Sequence, residues 1–334
     1  MIQASPSRAS FIGKCAVSLV AAGLVAGNAS MPAAAQSAAP LTSIKIATPG
    51  NDGNAMAWYA QDSGIFAKHG LTAEITPIRR GGGAAIAAAI AGGAADIGEG
   101  DIVAVATARA RGIPITMLAP SFLYRSSNPV QALVVAKTST IKTAKDLDGK
   151  TIGVISLEGP AKVATQKYLV ANGADISTIK FIEITPSTAA AEVARGQIAS
   201  ATVNEPNLTP ALETTRELAY PFNSLGNQVQ VSAWFAKEDW VKANPVAARA
   251  FVDAMKDTAI WANNVANQPM TAIILQKYDR FPTDFIKKMR RASYGEKFDL
   301  TTMQPLLDAA FDQKSISAHV DARTLLNPYA LVKK

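Results

Sequence analysis

Cysteine and histidine are scarce in this sequence. Its 334 residues include one cysteine, Cys15, and two histidines, His69 and His319. A disulfide framework, thiol catalysis and a Cys/His metal site each need more of these side chains, so all three are disfavoured. A Ser-His-Asp triad also lacks support, since neither histidine has a partner at a suitable spacing.

Charged residues are few as well, at 18% of the chain, and aromatic residues make up 7%. The hydrophobic fraction of 49% is large enough to bury a core, which excludes a disordered chain. Lys and Arg number 33 against 26 Asp and Glu. The net charge of +7 is spread along the chain without a nucleic-acid-binding motif, so nucleic acid is not expected as a partner.

The N-terminal segment has the order of a secretory signal. Arg8 and Lys14 precede an apolar run over residues 15–27, and small residues follow at 31–35. We therefore predict a signal peptide over residues 1–35, cleaved near its last alanine, and an exported protein without cysteine. The alternative of a membrane anchor is disfavoured, because the run is shorter than the roughly 20 residues that span a bilayer.

Strands and helices alternate along the rest of the chain. Residues 36–42 are small and polar, as in a flexible leader, and strands are predicted at 43–47, 71–78 and 114–118 with helices between them. The pattern then restarts with a strand at 132–136. This alternation is typical of a mostly parallel sheet covered on both faces, so we expect two α/β units followed by a helical region.

One helix of that C-terminal region is predicted in detail. Pro245 is tolerated in a first helical turn. A spacing of three and four residues places six later side chains on one face, which we expect to pack on the core: Ala247, Phe251, Ala254, Thr258, Trp261 and Val265.

Three stretches resemble a known family. Residues 58–71 are similar to its signature A-x-x-x-G-(I/L/Y)-F-x-x-x-G-L, and residues 93–98 to G-x-x-D-(I/V)-(A/G). Residues 141–154 are similar to I-x-x-x-x-D-L-x-G-K-x-(I/V)-(A/G)-V. With Asn204-Glu205-Pro206, they resemble ABC-transporter substrate-binding proteins of the nitrate, sulfonate, taurine and thiamine-precursor group. One departure is Ala199, which stands where a second-lobe motif usually has aspartate.

The resemblance implies a periplasmic binding protein type II fold. That fold has two Rossmann-like lobes with mixed, mostly parallel sheets, joined by two crossover segments. Lobe 1 would comprise residues 43–127 and 235–334, and lobe 2 residues 128–234. A monomer without cofactor or metal would bind a small molecule between the lobes by hinge closure, in the periplasm, for an ABC permease and ATPase in the inner membrane.

Ligands of open parallel sheets lie beyond the carboxyl ends of the strands, so the segments that follow the strands supply candidate ligand-binding residues. Several candidates have a structural alternative: helix capping for the Asn and Asp residues, core packing for the tryptophan and a solvated hinge for the arginine. The twelve candidates are Asn51, Asp52, Asn54, Trp58, Gly82, Glu99, Asp101, Arg125, Ser156, Glu158, Asn204 and Glu205.

The charge of the ligand stays open at this point. Helix N-termini with Arg79, Arg80 and Arg125 would suit a sulfonate, nitrate or carboxylate. The carboxylates of the candidate set outnumber these arginines and tilt the expectation slightly towards an amine or protonated heterocycle.

Two other functions also stay open. A sensor subunit would bind the same ligands and pass the signal to another protein. An enzyme on the same fold is the weaker alternative, because the mature chain lacks the cysteines that enzymes of similar architecture require. We predict a binding protein that is not an enzyme.

Overall fold

The computed structural model describes residues 41–78, 82–279 and 282–333. The predicted signal peptide, most of the leader, and Arg79 with Arg80 lie outside these residues. Within them, no helix is both long enough and apolar enough to cross a membrane.

The described residues form strands and helices that alternate over the first two thirds of the chain. The strands are β1 (Thr42–Thr48), β2 (Leu71–Pro77), β3 (Ile97–Asp101), β4 (Ile115–Pro120), β5 (Phe122–Arg125), β6 (Gln131–Ala136), β7 (Thr151–Val154), β8 (Lys180–Glu183), β9 (Ser200–Asn204), β10 (Thr215–Ala219), β11 (Gln228–Gln230), β12 (Ser232–Lys237) and β13 (Ser293–Tyr294). The α-helices are α1 (Met56–Asp62), α2 (Ile65–Lys68), α3 (Gly82–Ala91), α4 (Ile102–Ala110), α5 (Pro160–Ala171), α6 (Ala189–Ala194), α7 (Leu208–Ala211), α8 (Glu238–Ala243), α9 (Pro245–Asn263), α10 (Gln268–Asp279), α11 (Thr283–Ile286) and α12 (Leu300–Asp312).

Two five-stranded sheets repeat one topology. The first has the order β2-β1-β3-β12-β4 and the second the order β8-β7-β9-β6-β10. In each, the fourth strand named, β12 or β6, pairs antiparallel with both neighbours, whereas the first three pair in parallel. Four of the five strands in each sheet therefore point the same way. The predicted α/β fold with mixed, mostly parallel sheets is confirmed.

A small third sheet contains the two segments that connect the other two sheets, and these segments pair with each other. Its order is β11-β5-β13, and all its pairs are antiparallel. Strand β5 leaves the first sheet towards β6, and β11 returns from the second sheet towards β12. The exact lobe boundaries at residues 127 and 234 stay a prediction.

Several strands of the two sheets are largely apolar and buried on both faces, including β4 at the edge of the first sheet. Strand β4 is buried at all six positions and β6 at its first five. Such runs are expected where helices cover both faces of a sheet. Burial of these apolar side chains is the main term that stabilises the two sheets against unfolding.

Helix α9 packs on the first sheet by the predicted face. Phe251 is fully buried there, with its ring 5.5 Å from that of Trp234 and 6.2 Å from that of Phe66. The predicted face was wrong at Val265, which is 71% exposed. The helix ends at Asn263, and the Asn264 side chain accepts a hydrogen bond from the Ala266 amide, which starts a separate 3-10 turn.

Candidate functional site

A cavity of about 190 Å³ lies between the two five-stranded sheets. The first sheet contributes the loop after β1, the end of β3 and the start of β12, and the second contributes the turn after β7, the end of β9 and the start of β6. These positions share one edge, because the carboxyl ends of the parallel strands and the starts of the reversed strands coincide there. It is the place where open α/β sheets bind their ligands.

Eight of the predicted site residues line this cavity, and the sheets bring them together from segments up to about 150 positions apart in sequence. They are Asn51, Asp52, Asn54, Gly82, Asp101, Ser156, Asn204 and Glu205. Their contact with a ligand stays a prediction.

The other four predicted residues lie elsewhere, each for its own reason. Trp58 is buried in the core and stacks on the Tyr278 ring with centroids 4.7 Å apart, as its packing alternative proposed. Glu158 is exposed on the turn after β7. Glu99 is fully buried behind cavity-lining side chains, and Arg125 lines a different cavity.

That second cavity is larger, about 760 Å³, and opens between the ends of α9 and α10 and residues 286–294. Among the described residues, its lining includes none from the second five-stranded sheet. We take the smaller cavity as the candidate site, because both sheets converge on it.

Glu99 organises one wall of the candidate site. Its carboxylate accepts hydrogen bonds from Asn54 Nδ2 at 2.8 Å, Thr48 Oγ1 at 2.9 Å and Ser232 Oγ at 3.5 Å, and from the Ser121 hydroxyl. Asn54 and Ser232 line the cavity themselves. Burial raises the pKa of Glu99 to about 7, since desolvation of the charged form outweighs these four hydrogen bonds.

Replacing Glu99 with glutamine is expected to remove a pH dependence of stability. The folded state holds the Glu99 proton up to about pH 7, whereas the unfolded chain releases it near pH 4.5. The free energy of unfolding should therefore fall as the pH rises through this window, by up to roughly 3 kcal/mol in the wild type. Urea denaturation at pH 5 and pH 8 measures the difference, and an equally large fall in the Glu99→Gln variant would contradict this assignment.

Asp101 has two roles: it caps α4, and it also lines the cavity. The Ala104 amide donates a hydrogen bond to Asp101 Oδ1 at 2.8 Å, so the capping alternative holds for one oxygen. Gly83 leaves room for the other, because a Cβ at this position would lie 2.5 Å from Asp101 Oδ2. Burial raises the pKa of Asp101 to about 6.

The Asp52 carboxylate is occupied by groups of the protein. Arg291 donates to Asp52 Oδ1 from its NH2 group at 2.9 Å, the Ala292 amide donates to Oδ2 at 2.7 Å, and the Tyr59 hydroxyl donates to Oδ1 at 3.2 Å. The Tyr294 hydroxyl donates to the Asp52 carbonyl oxygen. Asp52 therefore fastens residues 291–294 to the loop after β1, which is a structural role.

Glu205 is likewise bonded to the protein. Its carboxylate accepts hydrogen bonds from Thr209 Oγ1 at 2.6 Å, the Thr209 amide at 3.1 Å and the Arg290 amide at 3.2 Å. The Thr209 amide lies in the first turn of α7, so Glu205 caps a helix. The sequence pattern does not indicate this cap, because α7 is only four residues long.

Three amide side chains in the cavity wall have no hydrogen-bond partner among the residues that the structure describes. Asn51, Gln131 and Asn204 line the cavity, and none of their side-chain amides has a hydrogen-bond partner in the described parts of the chain. Gln131 is only 7% exposed. Buried amides normally have partners, so these groups are available for a solute or for water.

The sequence matches the family model described as "NMT1/THI5 like" over residues 52–271, about two thirds of the chain. The chain belongs to this family. No curated protein matches the sequence significantly.

Solved structures confirm the NMT1/THI5-like chain's fold. The periplasmic aliphatic sulphonate binding protein SsuA of Escherichia coli is 15% identical, with a TM-score of 0.70 over 87% of this chain and 94% of SsuA. The periplasmic nitrate-binding protein NrtA of Synechocystis PCC 6803 is 16% identical, with a TM-score of 0.69 over 86% of each chain. A mutant form of DSZB in complex with biphenyl-2-sulfinic acid is 14% identical, with a TM-score of 0.62 over 86% of this chain and 96% of DSZB.

The three longer stretches that carry the resemblance build turns rather than the cavity wall, whereas Asn204 and Glu205 of the shorter Asn204-Glu205-Pro206 motif line the cavity. Gly64 and Gly70 have φ angles of +76° and +72°, which glycine adopts without strain, at the start of α2 and just before β2. Asp96 accepts a hydrogen bond from the Lys45 amide at 2.8 Å, and Asp146 accepts one from the Thr143 amide at 2.9 Å. The longer stretches therefore set local structure at a distance from the cavity.

The strand-end rule missed some cavity residues of this NMT1/THI5-like chain. Gln131 and Ser232 begin the reversed strands β6 and β12, so they reach the cavity from the other end of a strand. Phe122 follows β4, and its neighbour Ser121 bonds Glu99. Both belong to the segment after β4, of which the sequence analysis predicts only Arg125 as a site residue.

Proposed function

We propose that this protein is the solute-binding component of an ABC importer. It captures one small polar organic molecule in the cavity between the two sheets and delivers it to a permease and ATPase. The observation that carries the proposal is the cavity itself, where both sheets end and where the amides of Asn51, Gln131 and Asn204 have no partner within the described residues.

The similar structures support this class of function. SsuA and NrtA are periplasmic proteins whose names state that they bind an aliphatic sulphonate and nitrate. The predicted signal peptide agrees with export, and the predicted monomer needs no second chain to complete the cavity. Closure of the two sheets on the ligand would supply the signal that the permease recognises.

The cavity suits binding better than catalysis. Among the described residues, no group of three His, Cys, Asp or Glu side chains is placed to hold a metal ion. The cavity carboxylates of Asp52 and Glu205 are committed to hydrogen bonds with the protein.

The test is a binding screen with the purified protein. Taurine, methanesulfonate, nitrate, benzoate, cytosine and benzamidine are added in thermal-shift measurements, and each hit is followed by calorimetry and by chromatography of the solute. We expect saturable binding of one molecule per chain, a melting temperature that rises with solute concentration, and no consumption of the solute. Turnover of a hit, or no hit in the screen, would contradict the proposal.

Replacing Asn204 with alanine is expected to weaken the hit by about fivefold to tenfold, as for one lost hydrogen bond. The melting temperature without solute should stay unchanged, because the Asn204 amide has no partner within the described residues. Asn172→Ala is the control, since Asn172 is exposed and donates only to the Tyr168 carbonyl at 2.8 Å. Equal affinities for the wild type and the Asn204 variant would place the solute elsewhere.

A further inference from the structure

Among the described residues, the charged side chains that line the cavity all have the same sign. Among the described residues that line it, the charged ones are Asp52, Asp101 and Glu205, and no lysine or arginine is present. Glu99 adds a fourth carboxylate behind Asn54 and Ser232. The described part of the site therefore carries only acidic charges.

Within the described parts of the chain, only one of these carboxylates is neutralised by the protein. Asp52 forms a buried salt bridge with Arg291 at 2.9 Å. The side chain of Arg290, which lies near Glu205, bonds Glu217 instead at 2.7 Å, and Glu205 receives only the backbone amide of Arg290. The groups that donate hydrogen bonds to Asp101 and Glu99 are all neutral.

Burial is the largest cause of the raised pKa of Glu99, Asp101 and Glu205. This agrees with an excess of acidic over basic side chains among the described residues of the site. A positive charge in the cavity would restore their charged forms. The N-termini of α3 and α5 oppose this effect, but each carries only about half an elementary charge. The N-terminus of α4 is already capped by Asp101.

The uncharged residues that line the cavity suit a flat ligand with N–H groups. Phe122 lines the cavity, and Gln131, only 7% exposed, has a side-chain amide with no hydrogen-bond partner among the residues that the structure describes. Amide oxygens at Asn51, Gln131 and Asn204 accept hydrogen bonds from N–H donors. The volume of about 190 Å³ limits the solute to roughly one substituted ring.

We propose that the cavity binds a small organic cation, a flat molecule with an amidinium, guanidinium or ammonium group directed at Asp101, and not a sulfonate or nitrate. This inference rests on the proposed function and names its ligand class. It separates the protein from the anion binders that share its fold.

The test uses three molecules of nearly equal shape and different charge: benzamidine, benzamide and benzoate. Calorimetry with the wild type at pH 7.5 is expected to show benzamidine binding at least tenfold more tightly than benzamide, with benzoate weakest. Asp101→Asn keeps an acceptor for the Ala104 amide and removes the charge, so benzamidine should lose at least tenfold in affinity while benzamide changes little. Asp299→Asn is the control, because Asp299 caps α12 through the Thr301 amide and lies away from the cavity; its exposed pair with Lys333 is also lost.

The pH dependence gives a second readout. Neither benzamidine nor benzoate titrates between about pH 5.5 and 8. Benzamidine affinity should rise over this range as Asp101 and Glu99 lose their protons, whose pKa values lie at about 6 and 7. Within residues 41–78, 82–279 and 282–333, the groups around them are neutral, except for Asp52 with Arg291 and for Glu205, whose pKa burial raises as well.

The outcomes separate the two proposals. If benzoate or methanesulfonate binds more tightly than benzamidine, or if Asp101→Asn strengthens benzamidine, the cation is the wrong ligand class although the binding function stands. If other solutes bind but benzamidine does not bind at 10 mM, the same conclusion follows. If no solute of the whole panel binds, the proposed function itself fails.

Discussion

Replacing Asp52 with alanine is expected to lower the free energy of unfolding by about 3–5 kcal/mol. The substitution leaves the Arg291 guanidinium, whose side chain is 14% exposed, without its counter-charge. It also removes the acceptor of the Ala292 amide and of the Tyr59 hydroxyl. Urea denaturation measures the change, and an unchanged m-value would show that the native state alone is affected.

Two further variants decide whether the buried pair causes this loss. Asp284→Ala removes the partner of Lys287 in an exposed pair, with side chains 88% and 61% exposed, and should cost less than about 1 kcal/mol. The double variant Asp52→Ala with Arg291→Met should recover much of the loss, because no charge is then left buried. A loss below about 1 kcal/mol in Asp52→Ala would refute the structural role.

Replacing Phe251 with alanine should cost about 3–5 kcal/mol, the range for truncation of a fully buried aromatic ring. The ring fills the space between α9 and the first sheet, in contact with Trp234 and Phe66. The lost stability is the sum of two terms: the free energy of transferring the ring from water to the core, and the cost of the cavity that the substitution leaves behind. Thermal and urea denaturation should agree on its size.

The control for this prediction lies on the same helix. Val246 is 80% exposed in the first turn of α9, so Val246→Ala should change stability by less than about 0.5 kcal/mol. If both variants lost the same amount, burial of the Phe251 ring would not explain the effect, and the prediction would be wrong.

Much of the fold can be predicted from the sequence because its signals are local. Alternating strands and helices, and turn motifs such as those around Gly64 and Asp146, are encoded within a few residues. The reversed strand of each sheet is different. Its place beside β3 and β4, or beside β9 and β10, depends on pairing across many residues, which periodicity does not reveal.

The site is predictable to a similar degree. The strand-end rule finds the loops, since carboxyl ends of parallel strands meet at one edge. It does not tell which side chains turn inward or which are already bonded. Asp52 is the clearest case, because its partner Arg291 lies 239 positions away in the sequence. Gln131 escapes the rule because it begins a reversed strand.

The pairing of β5 with β11 has a mechanical consequence. The two polypeptide links between the large sheets are bonded to each other, through the register Arg125 with Gln228 and Leu123 with Gln230, and β13 joins them on the other side. Two separate links would let the halves twist and slide independently. The two links form one ribbon, and Val163 and Ala164 of α5 share a hydrophobic cluster with Leu306 and Leu307 of α12. A rotation of one half against the other must therefore bend both links together and shear this helix contact.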